Sequence, residues 1–235
     1  MKKDFSRGIV DGIPICLGYL SVSFAFGIFA VESGLKIWQA LMVSMFCVTS
    51  AGQLAAVPIM TACGGVLELA ISQVVINMRY ALMSISLSQK LDGGVTTPHR
   101  LAIAFVNTDE VFAMASGQKG SVSKSYMYGL ILTPWLGWVT GTLIGAVAGN
   151  VLPAVVSASL GVAIYGMFVA IVVPEMKKSG ATAACVAIAV ALSCLFYYMP
   201  GLRDIPTGFT IIVCAVTASL IMAFAAPIPE VDENE

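Results

Sequence analysis

The segment VLELAISQVVINMRYALMSISL, residues 66–87, decides the fold. It has the length a helix needs to cross the hydrocarbon core, about 20 residues. Yet it carries Gln73, Asn77 and Arg79 in its interior. At 3.6 residues per turn, Gln73, Asn77, Tyr80, Ser84 and Ser88 fall on one stripe. Ser72, Arg79 and Ser86 fall on the opposite side. A helix polar on two faces is expected to sit centrally in a bundle and to line an aqueous path, rather than face lipid. Interhelical hydrogen-bond glue is the alternative reading of the same side chains.

The rest of the chain supplies the bundle. Of its 235 residues, 58% are hydrophobic and only 11% charged, and mean hydropathy is +0.92. Soluble domains carry nearer a quarter charged residues, and a soluble fold of this size could not hide so much apolar surface. A net charge of −1 with one histidine, His99, argues against nucleic acid. The six cysteines, Cys16, Cys47, Cys63, Cys185, Cys194 and Cys214, lack C-x-x-C spacing. They read as small core- or lipid-facing residues, not as metal ligands or disulfides. No metal site or cofactor motif is expected. The first apolar run is too long for a signal-peptide core.

Charges divide the chain. None occurs over residues 12–31, 37–67, 125–174, 179–202 and 205–229. The first, fourth and fifth gaps each suit one helix. Residues 125–174 suit two, turning at Gly149-Asn150 with Pro153 opening the second. Residues 37–67 are too many for one upright helix and too few for two. Thr49-Ser50-Ala51-Gly52-Gln53 and Pro58 interrupt them. Residues 101–116 are too few for a span, with Asn107-Thr108-Asp109-Glu110 at their centre. The Lys/Arg rule puts Lys2, Lys3, Arg7, Lys177 and Lys178 in the cytoplasm. Lys90, Arg100, Lys119 and Lys124 join them if residues 37–62 and 101–116 each enter and leave by one side. The expected fold is therefore an all-α integral membrane protein, a polytopic helical bundle of about six to eight membrane segments with one or two broken or re-entrant helices. It forms a single membrane domain over 1–235: a cytoplasmic N-terminus, 1–11; a transmembrane bundle, 12–227; and an acidic cytoplasmic tail, 228–235. Phe46 and Thr49 recur 59 residues later as Phe105 and Thr108. Transporters often build a midplane site from such repeats, but a two-residue match is what chance also supplies.

Three sets of residues carry candidate chemistry. An arginine at mid-bilayer costs about 2.5–3.5 kcal/mol on insertion scales and persists when paired or solvated. The acidic residues within a nearby apolar segment are Asp109 and Glu110, so one of them is expected to pair with Arg79. A purely structural ion pair is the alternative. Two adjacent carboxylates held away from water repel each other, which suits the doublet to proton exchange, unless residues 101–116 lie in water. In Ser50-Ala51-Gly52-Gln53, Gly and Ser are expected to free backbone groups at a half-helix N-terminus, where N–H groups attract a carboxylate. A simple glycine kink is the alternative. The binding or coupling candidates are Ser50, Gly52, Gln53, Asn77, Arg79, Thr108, Asp109 and Glu110. Gly137, Gly141, Gly145 and Gly149 form a smooth ridge for helix packing, within the chain or against a partner.

Taken together, Gly12-Ile13-Pro14, Ala25-Phe26-Gly27, Ser50-Ala51-Gly52-Gln53, Asn77-Met78-Arg79-Tyr80, Asn107-Thr108-Asp109-Glu110 and the glycine-rich 135–145 stretch resemble the AzlC family, from about Arg7 to Ala226. Members are large subunits of branched-chain amino acid exporters. The resemblance implies a two-component permease in the inner (plasma) membrane, working with a small AzlD-like membrane subunit. It implies efflux of leucine, isoleucine, valine and related apolar amino acids, driven by the proton gradient. The family more often carries histidine where this chain has Tyr80, so a proton relay through that position has no counterpart here.

Other classes remain to be weighed: a permease for another small metabolite, a non-transporting membrane scaffold or assembly subunit, and an intramembrane enzyme. The enzyme is disfavoured, because no metal-binding histidine pair, P-loop or G-x-S-x-G elbow is present. A scaffold would have no need of Arg79, Asp109 and Glu110 at membrane depth.

Overall fold

The computed structural model describes residues 2–151, 153, 166, 169, 172–174 and 176–226. They form α1 (Lys2–Glu32), α2 (Ile37–Phe46), α3 (Ser50–Thr61), α4 (Val66–Lys90), α5 (Thr97–Ala104), α6 (Asp109–Ser116), α7 (Lys124–Val151), α8 (Gly180–Tyr198) and α9 (Thr207–Ala225). Five of these, α1, α4, α7, α8 and α9, are long and apolar enough to cross a membrane. The chain is an all-α polytopic membrane protein. The second helix expected within residues 125–174, opened by Pro153, and the acidic tail 228–235 lie outside the described residues.

Helices α1 and α7 run parallel and touch along their whole length. In lipid no hydrophobic force pulls helices together, so close backbone approach over small residues carries the association. Gly8 lies on Tyr126 and Gly12 on Leu130. Gly137 lies on Cys16, Gly141 on Leu20 and Ser23, Gly145 on Phe24 and Gly149 on Ile28. A methyl group on Gly137 would stand 2.7 Å from the Cys16 sulfur, and one on Gly145 would overlap the Phe24 carbonyl. The four-residue glycine ridge is thus seated within the chain, against α1.

Two hydrogen bonds then orient the rest. Val122 N donates to Lys90 O (2.9 Å), and Asp92 N to Val122 O (3.0 Å). The end of α4 therefore lies beside the start of α7, on the side that holds the N-terminus, and α4 is antiparallel to α1 and α7. It follows that α5 and α6 both begin and end their excursion on the N-terminal side. The α2–α3 excursion, between the end of α1 and the start of α4, begins and ends on the opposite side. Each is a re-entrant pair of half-helices, and their tips meet near the middle of α1, α4 and α7. Glu68 Oε1, in the first turn of α4, accepts from Gly208 N (2.8 Å) and fixes the start of α9 on the opposite side. Helix α8 packs on α9 and precedes it by a short turn, so Lys177 and Lys178 fall on the N-terminal side.

The 59-residue echo is architectural. Phe46 ends α2 and Phe105 follows the end of α5; Thr49 stands at the cap position of α3 and Thr108 at that of α6, though only the Thr49 side chain bonds a helix amide. Shifted by 59, Ser50 becomes Asp109, the first residue of α6, and α4 falls on α7. Since α1 and α4 run in opposite directions, the two helix-plus-hairpin units are inverted copies. Two matched side chains understated a match that extends to element boundaries.

Three expectations need correction. Unwinding occurs at Cys47–Thr49, not within Ser50-Ala51-Gly52-Gln53, which forms the first turn of α3. Thr49 Oγ1 accepts from Gly52 N (3.4 Å) and caps that turn. Gly52 is small because α4 is close: a methyl there would lie 2.6 Å from Gln73 Oε1. Likewise Pro58 lies inside α3, and Asp109 and Glu110 begin α6 rather than interrupting a helix. Lastly, α4 is not enclosed. Val74, Met78, Leu82 and Ile85 are each more than half exposed, so a third, apolar stripe faces outward beside the two polar ones.

Candidate functional site

The half-helix tips enclose a cavity of about 800 Å³ at mid-depth. Val48, Thr49, Ser50 and Ala51 line it from the α3 tip and Thr108, Asp109 and Glu110 from the α6 tip. Arg79 and Tyr80 of α4 contribute, as do Ile15, Tyr19 and Val22 of α1 and Trp138 of α7. Two helix N-termini, each with a threonine at its cap position, thus point into one cavity from opposite sides. The first amides of a helix have no intrahelical partner and carry partial positive charge.

Arg79 Nη1 pairs with Asp109 Oδ2 at 2.8 Å. Arg79 Nη2 donates to Tyr80 Oη (3.0 Å), and the guanidinium carbon stands 4.8 Å from the centre of the Tyr80 ring. Arg79 does not act from a separate helix face. Its long side chain reaches round to the cavity that Tyr80 also lines. The pair is about half exposed, 54% and 45% by side chain, and both residues line the cavity. Tyr19 Oη donates to Glu110 Oε2. The Tyr19 ring meets Trp138 edge-on, with centroids 5.1 Å apart, which fixes the hydroxyl against the acidic doublet.

The expected site residues divide. Ser50, Arg79, Thr108, Asp109 and Glu110 line the cavity. Gly52 is buried beneath it, against α4. Gln53 is wholly buried elsewhere: its Nε2 donates to Ser44 Oγ (2.9 Å), and Ser44 shares a hydrogen bond with Thr142 (2.6 Å). It ties α3 to α2 and α7. Asn77 borders a second cavity of about 200 Å³, with Cys47, Tyr80, Asn107 and Thr108. Tyr19 and Trp138 were missed. Each lies in a long apolar span, where an aromatic residue reads as packing. No group of His, Cys, Asp and Glu able to hold a metal ion occurs among the described residues.

Residues 14–152 match the AzlC protein family, a stretch that holds every residue of the site. The chain is 27% identical over 235 residues to the inner membrane protein YgaZ of Escherichia coli K12, covering 96% of this chain and 94% of that one. It is 30% identical over 191 residues to a membrane protein of Archaeoglobus fulgidus (80% and 84% covered), and 28% identical over 152 residues to one of Helicobacter pylori 26695 (63% and 65% covered). No solved structure matches.

Proposed function

Because this chain belongs to the AzlC family, we propose that it is the large subunit of a two-component permease exporting branched-chain or similar apolar amino acids. It sits multi-pass in the inner membrane with its N-terminus in the cytoplasm. A small AzlD-like membrane subunit completes it, and the proton gradient drives it.

The observation that carries this reading is the Arg79–Asp109 ion pair, held in a mid-depth cavity where two inverted half-helix tips meet. An isolated charge in that setting is costly, and a pair neutralises itself. A zwitterion can replace the pair without adding net charge. Its carboxylate takes the guanidinium and the exposed amides of Ser50 and Ala51, and its ammonium takes Asp109. Ile15, Val22, Val48 and Trp138 offer a branched side chain an apolar wall. Glu110, hydrogen-bonded by Tyr19, is left to exchange the coupled proton. The basic residues support the orientation: Lys2, Lys3, Arg7, Lys90, Lys124, Lys177 and Lys178 share one side, as the positive-inside rule expects of the cytoplasmic face.

The test is export and counterflow of labelled leucine, valine, isoleucine and methionine, with and without the small subunit, at two proton gradients. Arg79→Ala and Asp109→Asn are expected to reach the membrane in normal amount and to lose flux. Wild-type flux in both variants removes the site assignment. Absence of flux for every amino acid, with the partner present, removes the transporter reading and favours a scaffold.

A further inference from the structure

The 200 Å³ cavity beside the ion pair has a different chemistry from its larger neighbour. The half-helix N-termini face the large cavity. The C-terminal ends of α2, at Phe46, and of α5, at Ala104, border the small one. Helix C-termini carry partial negative charge, and at the end of α5 the Ala104 carbonyl already accepts from Asn107 N (3.3 Å).

Three residues lining this cavity carry a buried side-chain oxygen that accepts no hydrogen bond: Asn77 Oδ1, Asn107 Oδ1 and Thr108 Oγ1. Asn107 and Thr108 are 3% and 5% exposed. Thr108 Oγ1 lies beside the Tyr19 hydroxyl and, unlike its counterpart Thr49, does not cap its helix. The orientation of Asn77 is forced by a relay. A backbone carbonyl can only accept, so the Gly52 carbonyl fixes the Gln73 amide with its nitrogen inward (Nε2···O 2.9 Å). Gln73 Oε1 then accepts from Asn77 Nδ2 (3.1 Å), which leaves Asn77 Oδ1 on the other side of its amide, without a partner. Asn107 Nδ2 donates to Ser84 Oγ (3.1 Å), and its oxygen is left without a partner. Leaving buried acceptors unsatisfied is costly, and three of them on residues lining one cavity mark a place for a guest that offers positive charge or donors.

We propose that this cavity is a binding site for a small monovalent cation. Hard, neutral oxygen donors suit an alkali ion, and their neutrality disfavours a divalent one. The substrate's own ammonium group has the same chemistry and is the other possible source. The claim goes beyond the transport reading and is read out without flux.

The purified full-length protein in nanodiscs is heated in NaCl or KCl, with N-methyl-D-glucamine chloride keeping ionic strength constant. A ligand bound only by the folded state raises Tm saturably. Sodium is expected to do so. Thr108→Val is expected to abolish the rise and Thr108→Ser to keep it. Asn77→Asp, which makes one ligand anionic, is expected to lower the half-saturating sodium concentration several-fold. If alkali ions leave Tm unchanged but isoamylamine raises it in a Thr108-dependent manner, the occupant is an ammonium group. A Tm indifferent to both, or a rise that neither Thr108→Val nor Asn77→Asp alters, overturns the assignment and leaves the cavity to water.

Discussion

At the scale of single residues, the site rests on charges that compensate one another. Removing one member of a buried pair costs about 3–5 kcal/mol because the other is stranded. The Arg79–Asp109 pair is about half exposed, so the cost falls toward the range of about 1 kcal/mol for solvated pairs. Each single variant should therefore fold, and the double variant Arg79→Ala/Asp109→Asn should be more thermostable than Arg79→Ala alone while remaining inactive. Thermal unfolding beside flux separates the two effects. Tyr19→Phe removes one hydrogen bond to a carboxylate, worth about 1.5–3 kcal/mol, and keeps the edge-on contact with Trp138. It is expected to lower flux while leaving the amount of membrane-inserted protein unchanged. Arg79, Asp109 and Glu110 were legible because a charge inside an apolar segment must be compensated. Gln53 does not line the cavity, because an amide in such a segment can bond a buried serine, as its Nε2 does with Ser44, as readily as a ligand, and its Oε1 stays buried without a partner. Nothing in the sequence distinguishes those two environments.

At the scale of elements, glycine sets how closely helices approach. Gly141 has the backbone of Leu20 and the hydroxyl of Ser23 where a side chain would stand, and Gly93 has nothing within 4 Å. Gly141→Ala should destabilise the α1–α7 pair by about 1–3 kcal/mol, the usual cost of overpacking. Gly93→Ala should be silent; thermal unfolding in detergent compares them. Gly52→Ala pushes the α3 tip off Gln73 and should reduce flux more than Thr49→Ala, which costs a cap worth about 0.5–2 kcal/mol. Helices α1, α7, α8 and α9 were readable because charge-free length marks them, and α4 because its apolar length outweighs Glu68 and Arg79. The position of the breaks was not. A cap and a kink use the same residues, Ser, Thr and Gly, and the distinction lies in whether Thr49 has an amide to bond.

At the scale of the whole molecule, re-entrance fixes which turns share a side. Cys63 is exposed, in the turn between α3 and α4, and Asp92 and Gly93 lie in the turn after α4. With the N-terminus in the cytoplasm, a membrane-impermeant thiol reagent should label Cys63 from outside intact cells. A Gly93→Cys variant with Cys63 removed should react only after permeabilisation. Eight ordinary spans would give the reverse pattern. Basic residues already leaned toward re-entrance in the sequence. The repeat was nearly invisible there, since a fold copied upside down keeps its element boundaries while most of its side chains are replaced.

That duplication has a mechanical corollary. Two like-built arms inserted from opposite faces form a seesaw. Whatever posture one arm adopts toward its own face, the other has the backbone to adopt toward the opposite face. By trading postures, the molecule can close one doorway and open the other around a fixed pivot, and one frozen conformation already contains the pattern for its mirror-facing form.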